Sequence, residues 1–246
     1  MFASVAQNVT LINLTPVNDA IVTQSANARF IFPMDYQVIA AQVVGNAVLR
    51  ARLNAPSFRN IALPELSPLR VIAQQGANPV LVDPPPGSLK VMRNEEVGID
   101  VSHAGVGADN VFAGLWVTPQ FMPAPPGPVF SVVASVTSTL IVGQWVLGNL
   151  VFEQTLPVGR YTVIGMHCQC NDGIFARLAF PGNAQFRPGV PCVEALGSYI
   201  NPQVFRYGGH GTFGSFDSTA GPNIEILGLA AGAETASVVL DLIKVG

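Results

Sequence analysis

The segment Tyr161–Pro181 reads YTVIGMHCQCNDGIFARLAFP, and the segment 125 positions earlier, Tyr36–Pro56, reads YQVIAAQVVGNAVLRARLNAP. The two segments align without a gap and share eight identical positions, where unrelated sequences of this length would share about one or two. The identical pairs are Tyr36/Tyr161, Val38/Val163, Ile39/Ile164, Asn46/Asn171, Ala51/Ala176, Arg52/Arg177, Leu53/Leu178 and Pro56/Pro181. This internal repeat predicts a duplicated domain.

Weaker matches flank the repeat in the same order. Ile224–Val245 aligns with Val97–Thr118 at an offset of 127, and Ser4 aligns with Ser131 at the same offset. These matches predict that the two copies extend over most of the 246 residues. The resulting domains are a first β-sandwich at residues 1–118, a Pro-rich linker at 119–128 and a second β-sandwich at 129–246.

The fold class is predicted to be all-β, with two tandem jelly-roll-like sandwiches. The 24 glycines and 20 prolines leave short runs rich in Val, Ile, Thr and Phe, and helical periodicity is nearly absent. Predicted strands in the first copy lie near 5–14, 20–32, 36–44, 47–54, 69–73, 80–82, 89–92, 97–103 and 110–118. Those in the second copy lie near 129–142, 145–156, 160–170, 173–180, 193–200, 203–207, 223–230 and 235–245.

One uncharged segment, Val129–Phe152, is long enough to cross a bilayer as a helix. However, Ser135, Thr137 and Thr139 alternate with apolar residues, which is the period of a β-strand. We therefore expect a strand here. The prolines between positions 118 and 128 are expected to stiffen the connection between the two domains.

The repeated segment is predicted to be a hairpin that turns at Gly45-Asn46 in the first copy and at Asn171-Asp-Gly173 in the second. Strict alternation places Ile164, Met166, Cys168 and Cys170 on one face and Val163, Gly165, His167 and Gln169 on the other. In the first copy, alternation gives the inward positions to Ile39, Ala41 and Val43. We therefore expect core cysteines beside an exposed histidine.

Composition limits the functions that this chain can have. Charged residues make up only 11% of the chain, and the net charge is −3 with no basic arm or run, which argues against nucleic-acid binding. A surface so poor in charge predicts contacts with other subunits, and the alternative is an extracellular β-protein solvated by neutral polar side chains. The chain has only three cysteines, Cys168, Cys170 and Cys192, and a small, odd number does not fit a disulfide framework. Residues 1–18 lack a signal-peptide pattern.

Three residue patterns could carry chemistry, but none does so persuasively. His167-Cys-Gln-Cys170 could bind zinc with Cys192, His103 or His210, yet alternation separates its histidine from its cysteines. Gly209–Gly214 matches G-x-G-x-x-G without a following helix and is interpreted as a surface loop. Glu95, Glu96 and Asp100 could form the carboxylate pair of a glycosidase, and a solvated strand edge is the competing interpretation. We predict no catalytic site, no cofactor, no metal and no enzyme activity.

Arg52 and Arg177 occupy matching positions in the two copies, each between an alanine and a leucine. Each arginine is expected to pair with a carboxylate or a carbonyl, either inside the fold or across a subunit contact. A structural role is the favoured interpretation.

This combination of duplication, low charge and missing catalytic motifs resembles the double-barrel (double jelly-roll) coat proteins of icosahedral viruses and phages. The resemblance rests on architecture and composition and covers nearly the whole chain. It implies a capsid subunit that forms a homotrimer within a shell and contacts other virion proteins, with an underlying membrane as a further partner. The expected location is the virion, after synthesis in the host cytoplasm. The alternatives are a capsid decoration, cement or tail protein and, from another class, a carbohydrate-binding or adhesin module, which would need an aromatic platform. Trp116 and Trp145 lie in patterns that predict burial.

Overall fold

The computed structural model describes residues 2–5, 8–16, 23–45, 47–61, 65–66, 68–69, 89–103, 109–119, 124–183, 186–193 and 211–246. Within these ranges the protein is all-β, as predicted, with a single 3-10 helix at Pro56–Ile61. The chain divides into two compact units, Met1–Gln120 and Phe121–Gly246.

The first unit contains eleven described strands in two sheets. They are β1 (Phe2–Val5), β2 (Asn8–Asn13), β3 (Thr23–Gln24), β4 (Phe30–Ile31), β5 (Tyr36–Val44), β6 (Val48–Asn54), β7 (Glu65–Leu66), β8 (Pro68–Leu69), β9 (Lys90–Val91), β10 (Glu96–His103) and β11 (Asp109–Thr118). In one sheet, β11 lies between β1 and β5, and β5 also pairs with β8 and β9. In the other sheet, β10 pairs with β6 on one side and with β2 and β4 on the other, while β7 adds to β6 and β3 to β4.

The second unit contains nine described strands in one curled sheet. They are β12 (Val129–Leu140), β13 (Trp145–Gly148), β14 (Val151–Phe152), β15 (Arg160–Gln169), β16 (Gly173–Ala179), β17 (Gly189–Val193), β18 (Ser215–Asp217), β19 (Asn223–Gly228) and β20 (Gly232–Lys244). Their order is β14-β12-β20-β15-β17-β16-β19-β13, and β18 also pairs with β15. The predicted strand at the start of the uncharged segment is confirmed, because β12 pairs with β20 along its whole length.

Strand bounds follow the predictions best where the hydrophobic pattern is long. The predicted strand 20–32 is instead two short strands separated by a turn, in which Ala28 has a φ of 52°. The predicted strand 145–156 is interrupted between β13 and β14. β17 and β18 were not predicted at their positions, while the predicted strands 80–82 and 203–207 lie outside the described residues, as do 70–73 and 194–200 of two others.

The ladders of the two units repeat each other at an offset of 125. Arg52 pairs with Asp100, and Arg177 pairs with Glu225. Further equivalent pairs are Tyr36↔Val91 and Tyr161↔Phe216, and Ala41↔Leu115 and Met166↔Leu240. The parallel pairs Val43↔Pro68 and Cys168↔Cys192 are also equivalent, with offsets of 125 and 124.

The predicted offset of 127 for the flanking strands is therefore wrong. The ladder equivalent of Leu115 is Leu240 rather than Leu242, and that of Ser4 is Thr137 rather than Ser131. A slip by an even number of residues, two for Leu115 and six for Ser4, leaves the same side chains facing the core, so the hydrophobic pattern did not distinguish the alignments.

Each repeated hairpin carries a β-bulge at the same place. In β5 the register skips Ile39, and in β15 it skips Ile164. The bulge changes the alternation, so that Val38 and Val163 face the core clusters instead of the two isoleucines. The predicted inward positions of Ala41, Val43, Met166, Cys168 and Cys170 hold, and those of Ile39 and Ile164 are wrong.

The core of the second unit is built around Tyr161. Its ring lies 5.8 Å from Phe216 in a stacked arrangement and 5.8 Å from Phe130 edge-on, and its hydroxyl donates to the Pro157 carbonyl at 2.6 Å. Phe152 from β14 stacks on Phe216 at 6.1 Å. An aromatic cluster whose only hydroxyl is satisfied stabilises this end of the sheet.

Candidate functional site

Exposed apolar side chains are the most unusual surface feature of the second unit. Among its described residues, eight large apolar side chains are at least one-third exposed: Val129, Phe130, Ile141, Val142, Leu147, Val151, Val158 and Val245. Where exposed apolar side chains lie together, they mark contact sites in soluble proteins. Val151 lies beside Ser135 on the outer edge of β12, and Ile141 and Val142 follow the end of the strand six residues further along; we call these three residues the edge cluster.

The outer edge of β12 is largely unpaired in the described ranges. β14 pairs with it only at Ala134 and Ser135, and the Glu153 amide donates to the Val133 carbonyl at 2.9 Å. Because successive residues of an antiparallel strand direct their backbone groups to opposite sides, Thr137 and Thr139 present their N–H and C=O groups at this edge. Charged residues, prolines and β-bulges usually protect an edge strand from pairing with another chain. β12 has none of these features.

The two arginines of the repeat pair with carboxylates within their own units, which confirms the carboxylate prediction. Arg177 Nε lies 2.5 Å from Glu225 Oε2, and Arg52 Nε lies 3.7 Å from Asp100 Oδ2. The cross-strand partners are therefore equivalent in the two units, although one is Glu and the other Asp.

The surroundings of the two ion pairs differ. Arg177 is almost buried, its guanidinium stacks on Trp145 at 3.9 Å, and Arg187 adds a second cation 3.3 Å from Glu225. Arg52 is 31% exposed, and Asp100 is shared with Arg29 at 3.5 Å and with the Asn54 amide at 2.8 Å. The second pair is tighter and better shielded from water than the first.

Glu95, Glu96 and Asp100 do not form a carboxylate pair. Glu95 accepts hydrogen bonds from the Ser57 hydroxyl at 2.6 Å and the Met92 amide at 2.8 Å. Glu96 accepts from the Asn27 amide at 3.1 Å, and this bond lowers its pKa. Asp100 is only 5% exposed, so the expected solvated edge is wrong for this residue.

The two cysteines of the His-Cys-Gln-Cys segment form part of the core. Cys168, Cys170 and Cys192 are all buried, and the Cys192 thiol lies 3.8 Å from Cys168 Sγ. Burial raises the pKa of Cys192, while a hydrogen bond from Cys192 lowers the pKa of Cys170. Within the described residues, no group of three or more His, Cys, Asp or Glu side chains could hold a metal ion.

The prediction of an exposed histidine is wrong, because His167 is 7% exposed. It lies on the sheet face opposite the cysteines, where Asp241, Thr162 and Ile243 are buried as well. Strand alternation assigns a side chain to a face but does not say whether that face is covered. His103 is buried in the first unit, and His210 lies outside the described residues.

We expect the three thiols to be unreactive in the native protein. A thiolate is the reactive species, and burial disfavours it at Cys192 and shields all three sulfurs. Labelling with Ellman's reagent at pH 8 should be at least about 100-fold slower than in urea, because it requires local opening. Rapid labelling of any thiol without denaturant would contradict this packing, and Cys170 should be the first to react as the pH rises.

The described part of Gly209–Gly214 is not the predicted surface loop. Phe213 is fully buried, its amide donates to the Val163 carbonyl at 2.8 Å, and the Val163 amide donates to the Gly214 carbonyl at 2.8 Å. Gly214 has a φ of 100° and a Cβ there would meet the Phe186 ring at 2.7 Å, so the position requires glycine. Strand β18 follows, rather than the helix that a phosphate site needs.

Trp116 and Trp145 are half-buried rather than fully buried. The Arg177 guanidinium covers one face of the Trp145 ring.

In the described ranges, no helix has the length and apolar character needed to cross a membrane. No protein-family model matches the chain, and no curated protein matches it in sequence.

Proposed function

We propose that the chain is a capsid shell subunit with two jelly-roll domains that arose by duplication. The supporting observation is the strand order, which is the same in both units. The layers of the second unit are β12-β20-β15-β18 and β13-β19-β16-β17. When the eight strands other than β14 are numbered one to eight in chain order, one layer has the order 1-8-3-6 and the other has the order 2-7-4-5. This is the strand order of a jelly roll.

The first unit follows the same order through β1-β11-β5-β9 and β2-β10-β6-β7, once β3, β4 and β8 are left out. The offset of 125 between equivalent ladder pairs supports duplication, because two unrelated sandwiches would not share register and bulge position. β-Bulges are conserved within protein families, so a bulge at the same position in both units supports a common origin.

Surface chemistry supports assembly over catalysis. The described second unit exposes eight large apolar side chains, and only 11% of the chain is charged. Burying such a surface against other copies costs little, because few charges must lose their hydration. In the proposed role, trimers of this chain form pseudo-hexagonal units that tile a shell and contact other virion proteins and, where present, a membrane beneath.

Assembly of the purified protein tests the proposal. We expect hollow shells or hexagonal sheets in negative-stain images, with trimers as the smallest stable species in light scattering. Stable trimers that bind only to preformed capsids would overturn the shell role and identify a decoration or cement protein. A monodisperse monomer that binds glycans would instead indicate the carbohydrate-binding alternative, against which the covered Trp145 ring argues.

A further inference from the structure

We propose that the outer edge of β12 pairs with β12 of a second copy, in antiparallel orientation about a two-fold axis near Ser138. The inference rests on the proposed function in one respect, namely that this chain assembles with itself. Beyond the proposed function, the inference names the strand that makes the contact between copies and the register in which it pairs.

The chemistry of the edge selects an extended backbone as the partner. Thr137 and Thr139 each present one N–H and one C=O group that no residue of the described ranges bonds. Another β-strand satisfies such a row of alternating donors and acceptors. A small ligand or a helix would leave most of these groups unpaired.

The same strand in a second copy fits because the edge is its own complement. With Thr137 opposite Thr139 of the partner copy, both residues direct their backbone groups toward each other and exchange two hydrogen bonds. A two-fold axis then repeats this pair on the other side of Ser138. Edges are normally protected from self-pairing by charge, and β12 carries none.

The edge cluster supports this register independently. Val151 lies beside Ser135, three residues below Ser138, and Ile141 lies three residues above it. A two-fold axis at Ser138 therefore brings Val151 of each copy next to Ile141 and Val142 of the other. These side chains are 62%, 47% and 37% exposed in the single chain, and one contact would cover all three.

In the proposed register, the partner strand ends next to β14. The partner's β12 ends at Leu140, and its chain then turns at Ile141–Gln144, where Gly143 has a φ of 69°. It therefore ends before it would overlap β14. Gly148 lies against Val136, and Asn149 and Leu150 connect it to β14.

Hydrogen exchange on the full-length protein tests the pairing. In the assembled protein, the amides of Thr137 and Thr139 should exchange at least about 100-fold more slowly than in dilute monomer. The Thr139→Lys variant should abolish this protection and the self-association that accompanies it. Thr155→Lys is the control, since it adds the same charge at an exposed threonine that lies outside β12 and outside the exposed apolar set.

A second variant reports on the contact without disrupting it. Ile141→Cys combined with Val151→Cys should give a covalent dimer with a short bismaleimide, because the native cysteines are buried. Within one chain the two positions are six strand residues apart, roughly 20 Å, which a short linker does not span. Absence of the dimer under assembling conditions would overturn the pairing.

The two proposals fail separately. Shells that form while the Thr137 and Thr139 amides exchange as fast as in monomer would overturn the β12 contact and leave the shell role standing. A β12-paired dimer that never grows into a shell would support the contact and contradict the shell role. Equal assembly of Thr139→Lys and Thr155→Lys would overturn the contact.

Discussion

Arg177→Ala is expected to lower the free energy of unfolding of the second unit by about 3 kcal/mol, because removing one member of a buried ion pair leaves its partner uncompensated. Among the described cations, Glu225 would retain Arg187 at 3.3 Å, and the Trp145 ring would lose the guanidinium that stacks on it. Both losses occur on a sheet face where Leu227 and Phe175 are also buried.

The first unit supplies the matched control for this prediction. Arg52→Ala removes the equivalent arginine, but Arg52 is 31% exposed and Asp100 keeps Arg29 and Asn54 as partners. We expect a cost of about 1 kcal/mol or less, as for other solvent-accessible pairs. Equal costs for Arg52→Ala and Arg177→Ala would contradict the difference in burial from which the prediction is derived.

The measurement can separate the units, because the chain has only two tryptophans, Trp116 in the first and Trp145 in the second. Urea unfolding followed by fluorescence in a Trp116→Phe background reports on the second unit alone. A Trp145→Phe background reports on the first. This separation matters because a single unfolding free energy is not defined for a chain of two units.

The equivalence of these two ion pairs was only partly predictable from sequence. Arg52 and Arg177 align in the repeat, so pairing with a carboxylate could be predicted. Their partners could not, because Asp100 and Glu225 differ in residue type and lie in strands whose sequence alignment was two residues out of register. Ladder hydrogen bonds fix that register, whereas a period of two does not.

The all-β class and the long strands were predictable because β-branched alternation extends over whole elements such as β12 and β20. Burial of the outer faces was not. His167 and Asp241 are polar residues on the face opposite the core, and a sequence pattern cannot say what covers such a face. The bulge at Ile39 and Ile164 was missed for a related reason, since it leaves no residue signature and appears only where a ladder skips a position.

Strand β12 shows what the sequence pattern and the structure reveal together. The sequence identifies Val129–Phe152 as uncharged, which first suggests a membrane span and then a strand. Among the described residues, one side of β12 is paired along its whole length, whereas the other is paired with β14 only at Ala134 and Ser135. Absence of charge is therefore meaningful at the open side, where it permits two copies to approach without repulsion.

Gly148→Ala is the second substitution with a large expected effect. A Cβ at Gly148 would lie 2.2 Å from Val136 Cγ2, and Val136 is 2% exposed. Because β13 packs against β12 here and Val136 is buried, the methyl group can be accepted only if the two strands or the Val136 side chain shift. We expect a loss of about 2 kcal/mol in the free energy of unfolding, the usual cost of overpacking a core.

Two further variants show whether this contact causes the loss. Gly232→Ala is the control, because its nearest atom is Asp172 Oδ2 at 3.9 Å, and its cost should stay within about 0.5 kcal/mol. Val136→Ala removes the obstructing methyl groups, so Gly148→Ala should cost less in that background than alone. A coupling energy of about 1 kcal/mol in this double-mutant cycle is the expected result. If the cost of Gly148→Ala is the same in both backgrounds, Val136 is not the reason that position 148 requires glycine.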